Sequence, residues 1–294
     1  MTDAGIAFVN ATVVPIGLML IMFSMGLTLS LRDFGAVVRE PKPVGTGFAI
    51  HLLALPLLGL AIGALFRLPP ELALGLFIVS ICPAGTTSNA LTFVARGNVA
   101  LAVVLTALTS LVTVFTIPLL LSWALPHFLS GQGTVPQLSI PGTILQLIRI
   151  TVLPIALGMI VRHLRPQLAA RLARLLRPTA LVILILTIGF SVAVGAEMVA
   201  RNLIAVAPAV FVLNFCAMGM GLLAGRAIGA SARDAMTLGI ETGVQNVTLA
   251  IFLTLTVLGS LPLAVTQNIY GVVMLMNAGL LIRWLRPRIS AEAA

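Results

Sequence analysis

The chain has 294 residues, of which 60% are hydrophobic and 9% charged, with a mean hydropathy of +1.15. Soluble domains carry about 25% charged residues, so water-soluble globular classes are excluded and an integral membrane protein is implied. The net charge of +9 does not argue for a nucleic-acid partner, because the basic residues follow a membrane-topology pattern instead.

Crossing a hydrocarbon core takes about 20 helical residues. The apolar stretches are continuous, whereas barrel strands would alternate polar and apolar over about ten residues, so the expected class is all-α and polytopic. Nine spans are expected. The first, Ala11 to Leu31, follows MTDAG, which lacks the basic n-region of a cleaved signal peptide, so this helix is expected to be retained. The second, Val44 to Phe66, carries an intramembrane histidine, His51. In the third, Leu72 to Val94, the run ICPAGTTSNALTF forbids a straight helix. Pro83 removes a backbone donor, Gly85 loosens the chain, and Thr86, Thr87, Ser88 and Asn89 put side-chain oxygens at mid-membrane depth.

The fourth span, Val99 to Leu125, contains Thr106, and the fifth to seventh are Thr143 to Val161, Thr179 to Glu197 and Leu203 to Ala227. The eighth, Ala235 to Leu258, contains ETGVQN with Gly243 in its middle, and the ninth, Leu261 to Leu281, holds Met274, Met276 and Asn277. Cys82 and Cys216 lie within apolar spans and read as buried thiols rather than as a disulfide or metal pair. Trp123 and Trp284 sit near span ends, as interfacial anchors do.

Fourteen of the seventeen basic residues fall in alternate connections or at the C-terminal end. They are Arg32, Arg39, Lys42, Arg96, Arg162, Arg165, Arg171, Arg174, Arg177, Arg226, Arg233, Arg283, Arg286 and Arg288; Arg67, Arg149 and Arg201 fall on the other side. The positive-inside rule then puts the N-terminus outside and the C-terminus in the cytoplasm, in agreement with an odd number of spans. The single Lys beside abundant Arg and Ala suggests a GC-rich bacterial source, hence the inner membrane.

The two interrupted spans echo one another. Ser88-Asn89 is answered by Gln245-Asn246, and GNVALAVV from Gly97 by GSLPLAVT from Gly259, each opening the next span. Five steps separate the third and eighth spans, so a duplication would place its copies in opposite orientations. Paired discontinuous helices near the midplane are the pattern of a secondary transporter. Unwinding frees carbonyl oxygens for a cation, and half-helix N-termini present N–H groups to an anion.

Glu241 is the one acidic residue placed well inside a span, where an unpaired carboxylate would cost several kcal/mol. No Arg or Lys shares its depth, so a bound cation or a proton on the carboxyl is required; the bland reading is a protonated Glu acting as interhelical glue.

CPAGTTSN followed by ARGN, and later ETGVQN, resemble the two signature stretches of the bile acid:sodium symporter family, and the similarity runs over nearly the whole chain. The resemblance implies two inverted five-helix repeats with crossed, broken helices, the first of the ten helices being missing here. It implies a panel domain (1–42 and 142–200), a core domain (43–125 and 201–285) and a cytoplasmic tail (286–294). It further implies sodium-coupled symport of an organic anion, a bile acid or a small carboxylate such as pantoate or pyruvate, by alternating access. Sodium would be the coupling ion; no organic cofactor, nucleic acid or enzymatic activity is expected, and the oligomeric state is left open. Carried over by residue, one sodium site would use Ser88, Asn89, Thr106 and Glu241. A second would use Glu241, Gln245 and the carbonyls of Thr242 and Val244. Thr86, Thr87, Asn246 and Asn277 would face the substrate, Asn277 having an interhelical hydrogen bond as its alternative.

Two departures stand out. Ala102 replaces a hydroxyl one turn before Thr106, and His51 stands where the family has a glutamine of the second site. His51 either is structural or carries a proton in place of the ion, which makes proton-coupled transport the alternative. A hydrolase built on Ser88, His51 and Glu241 is a further alternative, disfavoured because that chemistry has no use for paired broken helices.

Overall fold

The computed structural model describes residues 8–35, 39–131, 136–176 and 178–292, with side chains to Leu285. Among them there is no β-strand; the secondary structure is helical throughout. In chain order the helices are α1 (Val9–Gly26), α2 (Pro41–Leu65), α3 (Pro70–Ser80), α4 (Thr87–Val94), α5 (Val99–Leu129) and α6 (Ile140–Leu164). They continue with α7 (Pro166–Leu176), α8 (Thr179–Val194), α9 (Ala196–Ala227), α10 (Ala232–Gly243), α11 (Val247–Val257) and α12 (Leu261–Glu292). Seven helical stretches are long and apolar enough to cross a bilayer, and the chain is a multi-pass membrane protein. Arg177, counted above among the basic connections, lies outside the described residues, and the expected tail 286–294 continues α12 as far as Glu292.

Proline sets the shape of three of these helices. Pro15, Pro56 and Pro154 lack the N–H that would bond four residues back, and in each case the preceding residue bonds five back instead: Val14 to Val9, Leu55 to Ile50 and Leu153 to Ile148. The resulting π-turn lets the helix run through the proline without a break. One of these turns, Ile50–Ala54, contains His51.

Helix packing follows the small residues. α1 lies along α6 with Gly26 and Gly158 in mutual contact: a Cβ on Gly26 would stand 2.2 Å from the Ile155 carbonyl oxygen, and one on Gly158 2.5 Å from that of Phe23. Lipid offers no hydrophobic drive between helices, so this backbone approach supplies the contact area instead. α7 and α8 join the α1–α6 pair. In the other group α9 runs along α10 and α12, and α3 is held between α2 and α12. Leu57, Leu65, Phe115, Ile204 and Phe215 point outward, whereas Glu241, Gln267 and Asn214 are fully enclosed, an inside-out polarity that suits a hydrocarbon solvent.

Candidate functional site

The two interruptions expected from ICPAGTTSN and ETGVQN are both present, and they meet. α3 stops at Ser80 and α4 starts at Thr87; α10 stops at Gly243 and α11 starts at Val247. The extended strips between them pair antiparallel at Ala84 and Gln245: Gly85 N–H donates to the Val244 carbonyl at 2.8 Å and Asn246 N–H to the Pro83 carbonyl at 2.9 Å. Thus each break satisfies backbone groups that the other leaves orphaned. Gly85 is required at the crossing, since a Cβ there would lie 2.7 Å from the Gln245 carbonyl oxygen.

Glu241, on the last turn of α10, has no accessible surface. Ser88 donates to its Oε1, and Thr106 Oγ1 lies 2.8 Å from its Oε2. Thr106 Oγ1 is also 2.9 Å from the Ala102 carbonyl and 3.5 Å from both Ser88 Oγ and Asn89 Oδ1. Two hydroxyl hydrogens therefore have to serve these five oxygen–oxygen contacts. The cluster is short of positive charge, which a cation or a carboxyl proton would supply. Its ligands are hydroxyl, amide and carboxylate oxygens, a donor set suited to a hard ion. No group of three His, Cys, Asp or Glu side chains able to hold a metal ion occurs among the described residues. Ala102, whose side chain departs from the family pattern, thus meets Thr106 through its backbone carbonyl.

The residues of the expected second site are less united. Gln245 Nε2 donates to the Thr242 carbonyl at 2.7 Å, while its Oε1 is buried without a partner. The Val244 carbonyl is engaged by Gly85. His51 Nδ1 lies 2.9 Å from the Gly47 carbonyl, which can only accept, so this nitrogen is assigned the hydrogen. Nε2 is buried and makes no hydrogen bond. His51 and Ser88 thus have separate partners, and the nucleophile–base pair that a hydrolase would need is not formed.

A cavity of about 660 Å³ begins at Thr86, Thr87 and Asn89, passes apolar walls that include Met25 and Val103, and reaches Arg32, Arg39 and Arg174 on the basic connections. Asp33 and Glu40 also line it, Asp33 being bound by Arg162 at 3.3 Å. Asn246 caps α11 through Leu249 N–H at 3.0 Å and borders a narrow cleft with Thr86 and Thr87. Asn277 is turned elsewhere, with Nδ2 2.9 Å from Asn214 Oδ1; this is the interhelical bond of its alternative reading.

Sequence reasoning did not single out Asn214 or Tyr270, which converge on the second break. A lone amide in the apolar run FVLNFCAM was the available signal for Asn214.

Residues 15–202 match the Sodium Bile acid symporter family, 188 of the 294 residues and thus more than half the chain. The chain belongs to that family. The match includes the Ser88-Asn89 segment and stops short of Glu241. Relatives extend over more of the chain: a probable chloroplastic sodium/metabolite cotransporter, BASS1, of Arabidopsis thaliana is 29% identical over 90% of this chain and 65% of its own length. The human ileal sodium/bile acid cotransporter is 29% identical over 82% of this chain and 68% of its own. A sodium-dependent transporter of Bacillus subtilis, YocS, is 28% identical over 79% and 70%. The chain therefore spans a little under two thirds of the length of the BASS1 proteins of Arabidopsis thaliana and Oryza sativa. The family is one of transporters, and these relatives are cotransporters rather than enzymes.

Proposed function

We propose that this protein is a sodium-coupled symporter of an organic anion that works by alternating access. The observation that carries the proposal is the hydrogen-poor oxygen cluster around the buried Glu241 carboxylate. Sodium entering it would be held by Glu241, Ser88, Thr106 and Asn89, which would turn lone pairs toward the ion instead of sharing too few hydrogens. Because these ligands come from both broken segments and α5, occupancy would draw the crossing together and favour one arrangement of the core.

Support for an organic anion comes from the cavity, which joins hydroxyl and amide groups at the crossing to three arginines at its far end, a field that attracts negative charge. Thr86, Thr87 and Asn246 are the groups proposed to meet the substrate, whereas Asn277 bonds Asn214. The cited sodium dependence of the Bacillus relative and the bile acid transport of the human one agree with this reading.

In the proposed topology the seven long stretches and the two broken segments make nine spans arranged as an inverted repeat. The N-terminus is outside and the C-terminus cytoplasmic, in the inner membrane of a bacterium. The α1–α6–α7–α8 group would be the panel, and the remaining helices the core that moves against it. The second ion site would use Gln245, the Thr242 and Val244 carbonyls, Glu241 and His51. The unpartnered His51 Nε2 favours the one competing reading, in which transport is coupled to protons instead of sodium.

The deciding experiment is uptake of labelled taurocholate, pantoate and pyruvate into proteoliposomes under separate sodium and proton gradients. Uptake of at least one anion should follow the sodium gradient in the parent and vanish in Glu241→Gln. Normal sodium-driven uptake by Glu241→Gln would refute the ion-site assignment, and uptake following only the proton gradient would establish the competing reading.

A further inference from the structure

Breaking α10 after Gly243 frees backbone carbonyls that a continuous helix would have satisfied, and the partners of those of Thr242, Gly243 and Val244 can be followed. The last helical bond runs from Val244 N–H to the Ile240 carbonyl at 2.9 Å. Beyond it the Thr242 carbonyl accepts from Gln245 Nε2 and the Val244 carbonyl from Gly85 N–H. The Gly243 carbonyl, between them, is treated differently: it receives Asn214 Nδ2 at 2.7 Å and the Tyr270 hydroxyl at 3.0 Å. Both side chains are buried, Asn214 fully and Tyr270 to 1% exposure.

The side-chain hydrogens of Asn214 and Tyr270 are all accounted for. Asn214 gives one amide hydrogen to Gly243 and the other to the Tyr270 oxygen at 3.1 Å, Tyr270 gives its own to Gly243, and Asn277 Nδ2 closes the chain by donating to Asn214 Oδ1 at 2.9 Å. Tyr270 and Asn277 are seven residues apart, two turns on one face of α12, and Asn214 comes from α9. The same α12 holds the other broken segment, through Thr266 to the Leu72 carbonyl and Gln267 to the Gly75 carbonyl, each at 3.1 Å.

Two donors use both lone pairs of a carbonyl, so the Gly243 oxygen cannot ligate an ion. Its peptide is turned toward α9 and α12, and because the strip is extended at Val244 (φ −96°, ψ 89°), the direction of one carbonyl governs that of its neighbours. Glu241 and Gln245 lie two residues to either side. We infer that Asn214 and Tyr270 are positioning residues for cation binding: by clamping the Gly243 carbonyl they fix the direction in which the broken strip presents Glu241 and Gln245. The inference rests on the sodium-coupled reading above.

Purified protein in sodium-free choline buffer, titrated calorimetrically with sodium chloride, gives the test. Tyr270→Phe removes one of the two donors and keeps the ring; sodium affinity should weaken about threefold, the usual scale of a single hydrogen bond between membrane helices. Asn214→Ala removes the amide that links all the partners, and about tenfold weakening is expected. Asn268→Ala is the control, because it deletes a buried interhelical amide of the same kind, 2.9 Å from Ser191 and without contact to Gly243. It should lower the thermal midpoint while changing sodium affinity by less than about twofold.

Unchanged affinity in folded Tyr270→Phe would overturn the clamp even if Asn214→Ala does not fold. Equal weakening by Asn268→Ala would also overturn it, by showing that any loss of packing has this effect. A parent without sodium binding would sink the coupling proposal and the clamp together; a parent that binds, with variants that bind as well, would sink the clamp alone.

Discussion

The two sides of Glu241 are finished to different degrees. Toward α4 and α5 the carboxylate meets Ser88 and Thr106, with Asn89 and the Ala102 carbonyl next to Thr106, so the oxygens are assembled and lack only positive charge. Toward α2 the polar atoms are present but unmatched: His51 Nε2 and Gln245 Oε1 are buried without hydrogen bonds, and the Val244 carbonyl is committed to the crossing. Hydroxyls in contact with a carboxylate can switch between donating to it and accepting an ion beside it. A histidine whose Nδ1 is tied to its own helix has one nitrogen left and no rotational freedom to search with. The comparison teaches that burial of polar groups alone does not make an ion site; convergence of compatible lone pairs does.

Removing the charge common to both sides should have the largest effect. Glu241→Gln keeps the shape and is expected to reduce sodium-driven uptake by about a hundredfold or more, the scale of deleting one partner of a buried ion pair. Gly85→Ala attacks the crossing itself, because the new methyl would press on the Gln245 carbonyl. A loss of about 1–3 kcal/mol in stability is expected, seen as a lower thermal midpoint in detergent, and an unshifted midpoint would show that the strips can separate freely.

Thr106→Val sharpens the comparison by removing one hydroxyl from the assembled side at constant volume. Sodium affinity measured by calorimetry should fall about tenfold with little change in the thermal midpoint. His51→Gln acts on the unmatched side and should be the mildest: uptake should become more steeply dependent on sodium, by about threefold or less in the half-saturating concentration. If His51→Gln instead cripples transport as severely as Glu241→Gln, the two sides are equal partners and the contrast drawn here fails.

Much of this architecture could be read before any coordinates. Apolar length set the helical class and the approximate place of the long helices because a bilayer core demands about 20 uninterrupted residues, and the two polar, glycine-bearing runs had to interrupt theirs because proline and hydroxyls spoil a helix locally. Boundaries shifted where local reading has no purchase: α9 begins at Ala196 rather than Leu203, and the basic stretch after Arg165 forms its own helix, Pro166–Leu176. Ser88, Thr106 and Glu241 were candidate ligands through the family resemblance, and the structure brings them into contact.

What the chain alone determined, then, is its solvent, its helical class, its two breaks and the presence of one buried acid, all of which follow from properties of neighbouring residues. Only the tertiary structure decided which groups meet: that the breaks pair with each other, that Asn277 turns to Asn214, and that Asn214 and Tyr270 hold Gly243. Hydrogen bonds between residues dozens of positions apart depend on how helices are placed around one another, and no local pattern in the chain encodes that placement.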